Sequence, residues 1–338
     1  MVLKHFPGSV WNYTKSEIEE ARSENRLLNC DIEVSRKCNL HCKFCYSDSG
    51  KQLNNEMTLA ELKELIDDVK NLGAKTVTLT GGEPLMYPGF FELVEHITGL
   101  GMKALFFTNA TFITPAIAKQ LIDNETYPCV SLEAADPTIH DNLVGTKGAF
   151  EKTIEGINNL VSVGYTGKLP LTINAVVTKL NIDNLPALWE YAVKRNIDPF
   201  FLRLISKGRT RHHNELYVSS DEIKKLVEDI ASLKNYEPSV PFLGEEGCVK
   251  HYISCHIDSQ GFVQPCSGVD IHCGNIRYKN LPSIINDSPI FKIMRNIDSN
   301  IQGKCKDCVH HDKCYGCRGV TYALTGDLVG SDPLCWNS

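Results

Sequence analysis

Between Asp31 and about residue 235 the chain alternates six times between a short apolar run and a stretch with apolar residues at helical spacing. The runs Asp31–Val34, Thr76–Thr80, Lys103–Thr108, Val130–Glu133, Leu171–Val177 and Phe200–Leu204 are predicted strands. The helices between them carry their own start and stop signals. Thr58 with Glu61 and Ser219 with Glu222 have the spacing of capping boxes, Gly73 follows a last apolar turn, and Thr114-Pro115 is a cap before a first-turn proline. Strands that alternate with helices need a parallel sheet with right-handed crossovers, and ligands then collect at the carboxyl ends of the strands. The expected fold is therefore α/β.

Two segments follow predicted strands directly and so fall on that edge. The first is S-R-K-C-N-L-H-C-K-F-C-Y-S-D-S-G, from Ser35 to Gly50, with Cys38, Cys42 and Cys45 at C-x3-C-x2-C. A tight loop can aim three thiolates at one point, and soft thiolates suit an iron–sulfur cluster. Three ligands leave one iron of a cubane open for chemistry, as the open position does in catalytic metal sites. On the loop alone, the alternative is a zinc knuckle lacking its fourth ligand. The second segment is Gly81-Gly82-Glu83-Pro84.

The chain has 14 cysteines in 338 residues, and apart from Cys30 and Cys129 they are grouped: three in the opening loop, four from 248 to 273 and five from 305 to 335. Such grouping in C-x2-C pairs reads as metal binding rather than disulfides. The net charge of −6 and the lack of a long basic run argue against general nucleic-acid binding. The short basic stretch 207–213 reads as a solvated or anion-contacting loop. No apolar run is long enough to span a bilayer, and the first residues lack a secretory signal, so a cytoplasmic protein without membrane attachment is expected.

After about residue 240 helical periodicity weakens, and Ile257 to Pro265 reads as a small hairpin around Gly261. The expected organisation is an N-terminal extension at 1–28, an α/β domain at 29–238 and a cysteine-rich domain at 239–338. The last lacks the apolar run to hold itself together, so cluster binding would supply part of its folding energy.

The cysteine loop, with Phe44 before its third cysteine, together with G-G-E-P after the second strand, resembles the signature of the radical S-adenosylmethionine (SAM) superfamily. The C-terminal cysteines resemble the SPASM extension of part of that superfamily. Its first half is Cys255 and Cys266 with Gly261 between them, and its second is Cys305, Cys308, Cys314, Cys317 and Cys335. The x2 spacing between Cys314 and Cys317 departs from the usual x3. The resemblance is strongest to quinone-cofactor and peptide maturases and to haem-pathway radical SAM enzymes, and it implies a partial (β/α)6 barrel followed by an iron–sulfur domain.

The resemblance also implies site residues. Cys38, Cys42 and Cys45 would hold a [4Fe-4S] cluster with an open iron. Gly81, Gly82, Glu83 and Pro84 would form the turn that receives the methionine amine of SAM, with Phe44 near the adenine. Thr108, Asn109, Ser131 and Glu133, at strand ends, are candidates for ribose or methionine contacts. Val144 stands where relatives often carry an arginine, so Arg203, or else Lys147 or backbone, would hold the SAM carboxylate. Two auxiliary clusters, expected as [4Fe-4S], would take Cys248, Cys255, Cys266 and Cys317, and Cys305, Cys308, Cys314 and Cys335. Cys273 competes with Cys248, an incomplete cluster with an open iron is a further alternative there, and zinc remains an alternative for residues 305–317. His272, His310 and His311 are expected beside the clusters or at the surface rather than as ligands.

The implied activity is reductive cleavage of SAM to a 5′-deoxyadenosyl radical that abstracts hydrogen from an unactivated carbon. Auxiliary clusters would assist net oxidation or cross-linking, foremost in maturation of a peptide or peptide-derived cofactor. Tetrapyrrole side-chain modification and sugar or aminoglycoside oxidation or epimerisation are alternatives. A non-catalytic iron–sulfur or zinc protein is the alternative class. The expected partners are the substrate, a reductant such as flavodoxin or ferredoxin, and a separate peptide carrier protein.

Overall fold

The six predicted strand–helix units are present, in order, in a computed structural model that describes residues 2–4, 12–234 and 248–337. A hairpin, β1 (Val2–Lys4) with β2 (Asn12–Thr14), leads into α1 (Lys15–Ser23). The units are β3 (Asn29–Ser35) with α2 (Leu59–Asn71), β4 (Thr76–Gly81) with α3 (Phe90–Gly99), and β5 (Lys103–Thr108) with α4 (Pro115–Asp123). They continue as β6 (Tyr127–Ser131) with α5 (Pro137–Val144) and α6 (Ala149–Ser162), β7 (Thr172–Val177) with α7 (Leu185–Lys194), and β8 (Asp198–Arg203) with α8 (Ser220–Lys234). All six strands are parallel and adjacent in sequence order.

The local signals act as read. In α2, Glu61 N–H donates to Thr58 Oγ1 at 3.3 Å and Thr58 N–H donates back to the Glu61 carboxylate at 2.8 Å. Ser219 and Glu222 make the same exchange before α8. The fourth strand is an exception: it starts at Tyr127 rather than Val130 and ends at Ser131, leaving Glu133 beyond it. Pro128 is tolerated because β6 pairs with β7 only from Cys129 onward, so the proline's missing N–H faces no partner there.

The larger departure is at the other sheet edge. After α9 (Lys250–Ile253), the predicted hairpin forms as β9 (Ser254–Ile257) and β10 (Phe262–Gln264), with β11 (Gly274–Asn275) beside it. Rather than standing apart, β9 pairs parallel with β3, from Asn29↔Ser254 to Ile32↔Ile257, and makes one nine-stranded sheet. An uncovered β3 would leave a row of unpaired backbone groups, which β9 satisfies.

The helices α10 (Leu281–Asp287), α11 (Pro289–Arg295), α12 (Ile297–Asn300) and α13 (Arg318–Thr325) complete the chain. Leu281, Ile284, Ile285 and Phe291 join the same buried core as Leu62, Leu79 and Phe106 of the barrel. The barrel and the C-terminal region therefore share one core, which supplies the apolar burial that the C-terminal sequence lacks by itself. The boundary expected at 238 lies outside the described residues. No helix among the described residues is long and apolar enough to cross a membrane.

Candidate active site

The loop after β3 is held on three sides, two of them by backbone. Cys38 N–H donates to Gly50 O at 3.0 Å and Gly50 N–H to Arg36 O at 2.9 Å, closing the loop on itself. His41 and Lys43 donate to Val144 O and Leu143 O at 3.0 and 2.9 Å, docking it on the end of α5. Val144 itself packs on Leu40, Cys38 and Cys42, so the apolar residue where an arginine was expected is part of the loop's seat.

The third support is Arg209. It is 8 % exposed, and its guanidinium donates to Cys42 O at 2.8 Å and Ser49 O at 2.6 Å. The stretch 207–213 is thus corrected: its arginine at 209 is buried and clamps the cysteine loop. Nothing in the local sequence distinguishes Arg209 from its exposed neighbour Arg211; only the crossover from β8 brings it there.

The G-G-E-P turn packs on the same loop. Gly82 and Glu83 N–H groups donate to Ser35 O and Lys37 O at 2.8 and 2.9 Å. A Cβ on Gly81, whose φ is +126°, would meet Ser35 O at 2.2 Å, and one on Gly82 would meet Lys37 O at 2.1 Å. Only glycine allows that approach. Glu83 is buried; its carboxylate accepts from Thr108 Oγ1 at 2.7 Å, Asn109 N–H at 2.8 Å and Leu85 N–H at 3.2 Å. Burial nevertheless pushes its pKa up to about 7. Thr108 is thereby committed to Glu83, while Asn109 Nδ2 reaches Asn39 in the cysteine loop at 2.9 Å. Pro84 starts a short 3₁₀ turn in the core and is not part of the cavity wall.

A cavity of about 650 Å³ opens above these groups. Cys38, Cys42, Cys45, Phe44, Gly81, Gly82, Glu83, Thr108, Asn109, Ser131 and Glu133 all border it. Glu133 is fully buried; Oε2 accepts from Val176 N–H at 2.8 Å, and Oε1 has no hydrogen-bond partner. Burial pushes its pKa up to about 8. Beside it, Asn174 accepts from Ser131 Oγ at 3.2 Å and borders the same space, a residue that the strand-end reading passed over.

The expected carboxylate-binding role of Arg203 is not supported. Arg203 does end β8 beside the cavity, but both its terminal nitrogens go to Asp332, with Nη2 to Oδ1 at 3.3 Å and Nη1 to Oδ2 closer, which leaves only the buried Nε without a partner and no fork for a second carboxylate. Lys147 is exposed and does not border the cavity.

The C-terminal thiols separate into two sets. Cys248, Cys266 and Cys317 border the same cavity as the loop cysteines. Burial and the neighbouring thiols push Cys248 up to about 12, and Cys266 rises for the same reasons. Cys305, Cys308, Cys314 and Cys335 form a set that does not border the cavity, their mutual charges raising Cys314 to about 11 behind the larger effect of burial. Backbone N–H groups point at sulfur in it: Gly316 to Cys314 at 3.4 Å and His310 to Cys308 at 3.5 Å. His311 contacts Cys305 O at 3.2 Å through Nδ1, and His272 stacks on Phe262.

Cys255 does not join the first set. Side chains alternate along β9, so His256 borders the cavity while Cys255 points into the helix-side core, its sulfur 3.5 Å from Cys30 and both residues fully buried. Cys273 lies on that side as well, its Sγ directed to Ile271 O. Of these two competing thiols, Cys248 borders the cavity and Cys273 does not.

The donor sets suit iron–sulfur clusters. Burial raises Cys38 to about 11 and Cys42 further, so these groups need an opposing cation to ionise. Among the described residues no three His, Cys, Asp or Glu side chains converge tightly enough for a single metal ion, as mononuclear zinc with Zn–S of about 2.3 Å requires. The glycine turn and the unpartnered Glu133 oxygen provide a polar cradle beside the loop thiols.

Comparison with known proteins agrees. Residues 32–192 match the model of the radical SAM superfamily, and residues 248–309 match that of an iron–sulfur cluster-binding domain, SPASM. An AdoMet-dependent heme synthase of Methanosarcina barkeri is 30% identical over 90% of this chain and 94% of its own. The mycofactocin maturase MftC of Mycobacterium tuberculosis is 28% identical over 90% of this chain and 81% of its own. Among solved structures, SuiB of Streptococcus suis bound to S-adenosylmethionine superimposes with a TM-score of 0.73 at 20% identity, over 96% of this chain and 84% of its own.

Proposed function

This chain belongs to the radical SAM superfamily and carries a SPASM domain, and from that membership we propose that its substrate is a peptide, matured by net oxidation or cross-linking at an unactivated carbon. A [4Fe-4S] cluster with S-adenosylmethionine supplies reductive C–S cleavage and hydrogen abstraction, and auxiliary clusters complete the cofactor set. Cys38, Cys42 and Cys45 would hold the first cluster. The carbonyls of the Gly81–Gly82 turn would receive the methionine amine, and Glu83 fixes that turn by tying it to Thr108 and Asn109. Glu133 and Asn174 would offer the ribose and carboxylate their side-chain polar atoms, and Phe44 would contact the adenine.

One observation carries the reading: the loop thiols and Cys248, Cys266 and Cys317 open onto the same cavity. A substrate there touches both the radical source and an electron acceptor, which favours oxidation over isomerisation. The cavity continues past Phe107 and Phe200 to Trp189 and Val193 on α7 and to Ile230 on α8, at the open edge of β8. An extended chain can lie along that path with one residue at the cysteine loop. A flavodoxin- or ferredoxin-like reductant, a peptide carrier and a cytoplasmic setting belong to this reading.

Tetrapyrrole side-chain modification is the second reading, favoured by the 30% identity to the heme synthase over 94% of its length. The anaerobic protein, reduced with dithionite in the presence of SAM, is expected to release 5′-deoxyadenosine, and the Cys42→Ala variant none. With a precursor peptide drawn from neighbouring genes, loss of hydrogen from the peptide by mass spectrometry supports the first reading. Turnover of an iron tetrapyrrole without change in any such peptide would replace it with the second.

A further inference from the structure

We infer that the cavity-facing auxiliary cluster is held by Cys248, His251, Cys266 and Cys317, with the His251 imidazole in the place expected for Cys255. The inference rests on the reading above that an iron–sulfur cluster sits at these thiols. Three independent features point to the histidine.

The first is that the thiol set is one short. Cys255 lies on the far face of β9, its sulfur against Cys30 at 3.5 Å inside the apolar core. Bringing it round would require turning the strand over, and the pairing of β9 with β3 on one side and β10 on the other forbids this. Cys273 is on the same far side. No other cysteine borders the cavity near Cys248, Cys266 and Cys317.

The second is the state of His251. It is 4 % exposed, borders the same cavity, and its Nε2 has no hydrogen-bond partner. Buried polar atoms without a partner are rare because the lost hydration is not replaced. The neighbouring buried His256 also borders the cavity with an unpartnered nitrogen, Nδ1, but its Nε2 faces Glu33 at 3.4 Å, which ties that ring to β3, whereas no carboxylate among the described residues holds His251. An imidazole nitrogen is an established iron ligand, and it takes thiolate positions in some iron–sulfur centres.

The third is placement. His251 follows Cys248 by three residues and lies in the single turn α9, whose cap, Val249, comes directly after Cys248. Its ring is braced at 4.0 Å by Tyr252 and edge-on at 5.9 Å by Tyr315, which lies two residues before Cys317. The segments bearing Cys248 and Cys317 therefore both support the ring.

Replacing one thiolate by a neutral imidazole lowers the negative charge on the cluster and raises its reduction potential. An acceptor of that kind is suited to take an electron from a substrate-derived radical in the shared cavity.

The test uses the full chain with Cys38, Cys42 and Cys45 all changed to Ala, which removes the first cluster and any signal from SAM nitrogen. About eight irons are expected if two four-iron clusters remain. With ¹⁵N-histidine incorporated and the clusters reduced, pulsed EPR is expected to show a strong ¹⁵N coupling. A His251→Cys variant of this protein should keep its iron, lose the coupling and shift one midpoint potential downward. Cys255→Ala should keep both iron and coupling. Full iron without a histidine coupling, or loss of about four irons on changing Cys255, overturns the histidine assignment. Only about four irons in the starting protein overturns the cluster at this site, and the assignment with it.

Discussion

Arg203 at the end of β8 and Asp332 near the chain terminus form an ion pair across 129 residues, with side chains 7 % and 1 % exposed. Asp332 Oδ2 also accepts the N–H of Cys317 at 2.8 Å, so one carboxylate fixes a barrel strand and the cysteine-bearing loop at 317. Removing one partner of a buried pair leaves an uncompensated charge and costs ~3–5 kcal/mol. Asp332→Asn is expected to lower the melting temperature by roughly 5–10 °C and to shed auxiliary iron. Anaerobic calorimetry with iron analysis checks this, and a variant as stable and as iron-rich as the parent counts against the pair as a brace.

Arg209 supports the opposite end of the site. Its two bonds to Cys42 O and Ser49 O are all that its guanidinium gives the loop besides the ion pair with Asp48 at 3.0 Å. Arg209→Ala is expected to lose about four irons, those of the first cluster, while the auxiliary set is retained. Iron counts and EPR in the presence of SAM distinguish this from general unfolding.

Glu83 is expected to matter for SAM rather than for iron. Glu83→Gln keeps one acceptor oxygen but opposes an NH2 group to the N–H of Asn109 or the hydroxyl of Thr108. A loss of ~1.5–3 kcal/mol, or about tenfold to a hundredfold weaker SAM binding, follows for a buried polar mismatch. Titration of SAM into the anaerobic protein measures it. Unchanged affinity would remove the turn from the cofactor site.

Glu133 should make stability depend on pH. Its folded pKa of about 8, raised by burial, lies above the ordinary carboxyl value. The folded protein therefore favours the neutral acid. That contribution is complete below the unfolded pKa of about 4.5 and is lost as pH rises through about 8. Wild type is expected to lose ~2–4 kcal/mol more than Glu133→Gln between pH 5 and 9. Denaturant unfolding of both proteins at several pH values is the measurement, and parallel curves would contradict it.

Much of the barrel was readable because its signals are local. Thr58 with Glu61 specifies a helix start within four residues, and apolar spacing specifies which face is buried. The cysteine loop and Gly81–Gly82 were placed on one edge by their position after strands, and their contacts through Ser35 O and Lys37 O agree. The fourth strand starts three residues before its predicted apolar run, because Pro128 pairs with Phe106 of β5 and has no partner on the β7 side.

By itself, then, the sequence determined the order of strands and helices, the thiol-rich loop and the glycine turn beside it, since each depends on residues a few positions apart. Tertiary structure alone decided which thiols share a cavity. Cys255 and His256 are neighbours in sequence, yet the pairing of β9 with β3 sends one into the core and the other toward the site. Strand alternation makes that choice binary, and the partner strand that makes it lies more than two hundred residues away. The same holds for Arg203, whose position on the ligand edge was legible but whose partner, Asp332, was not. A charged side chain goes to the opposite charge that the fold brings within reach.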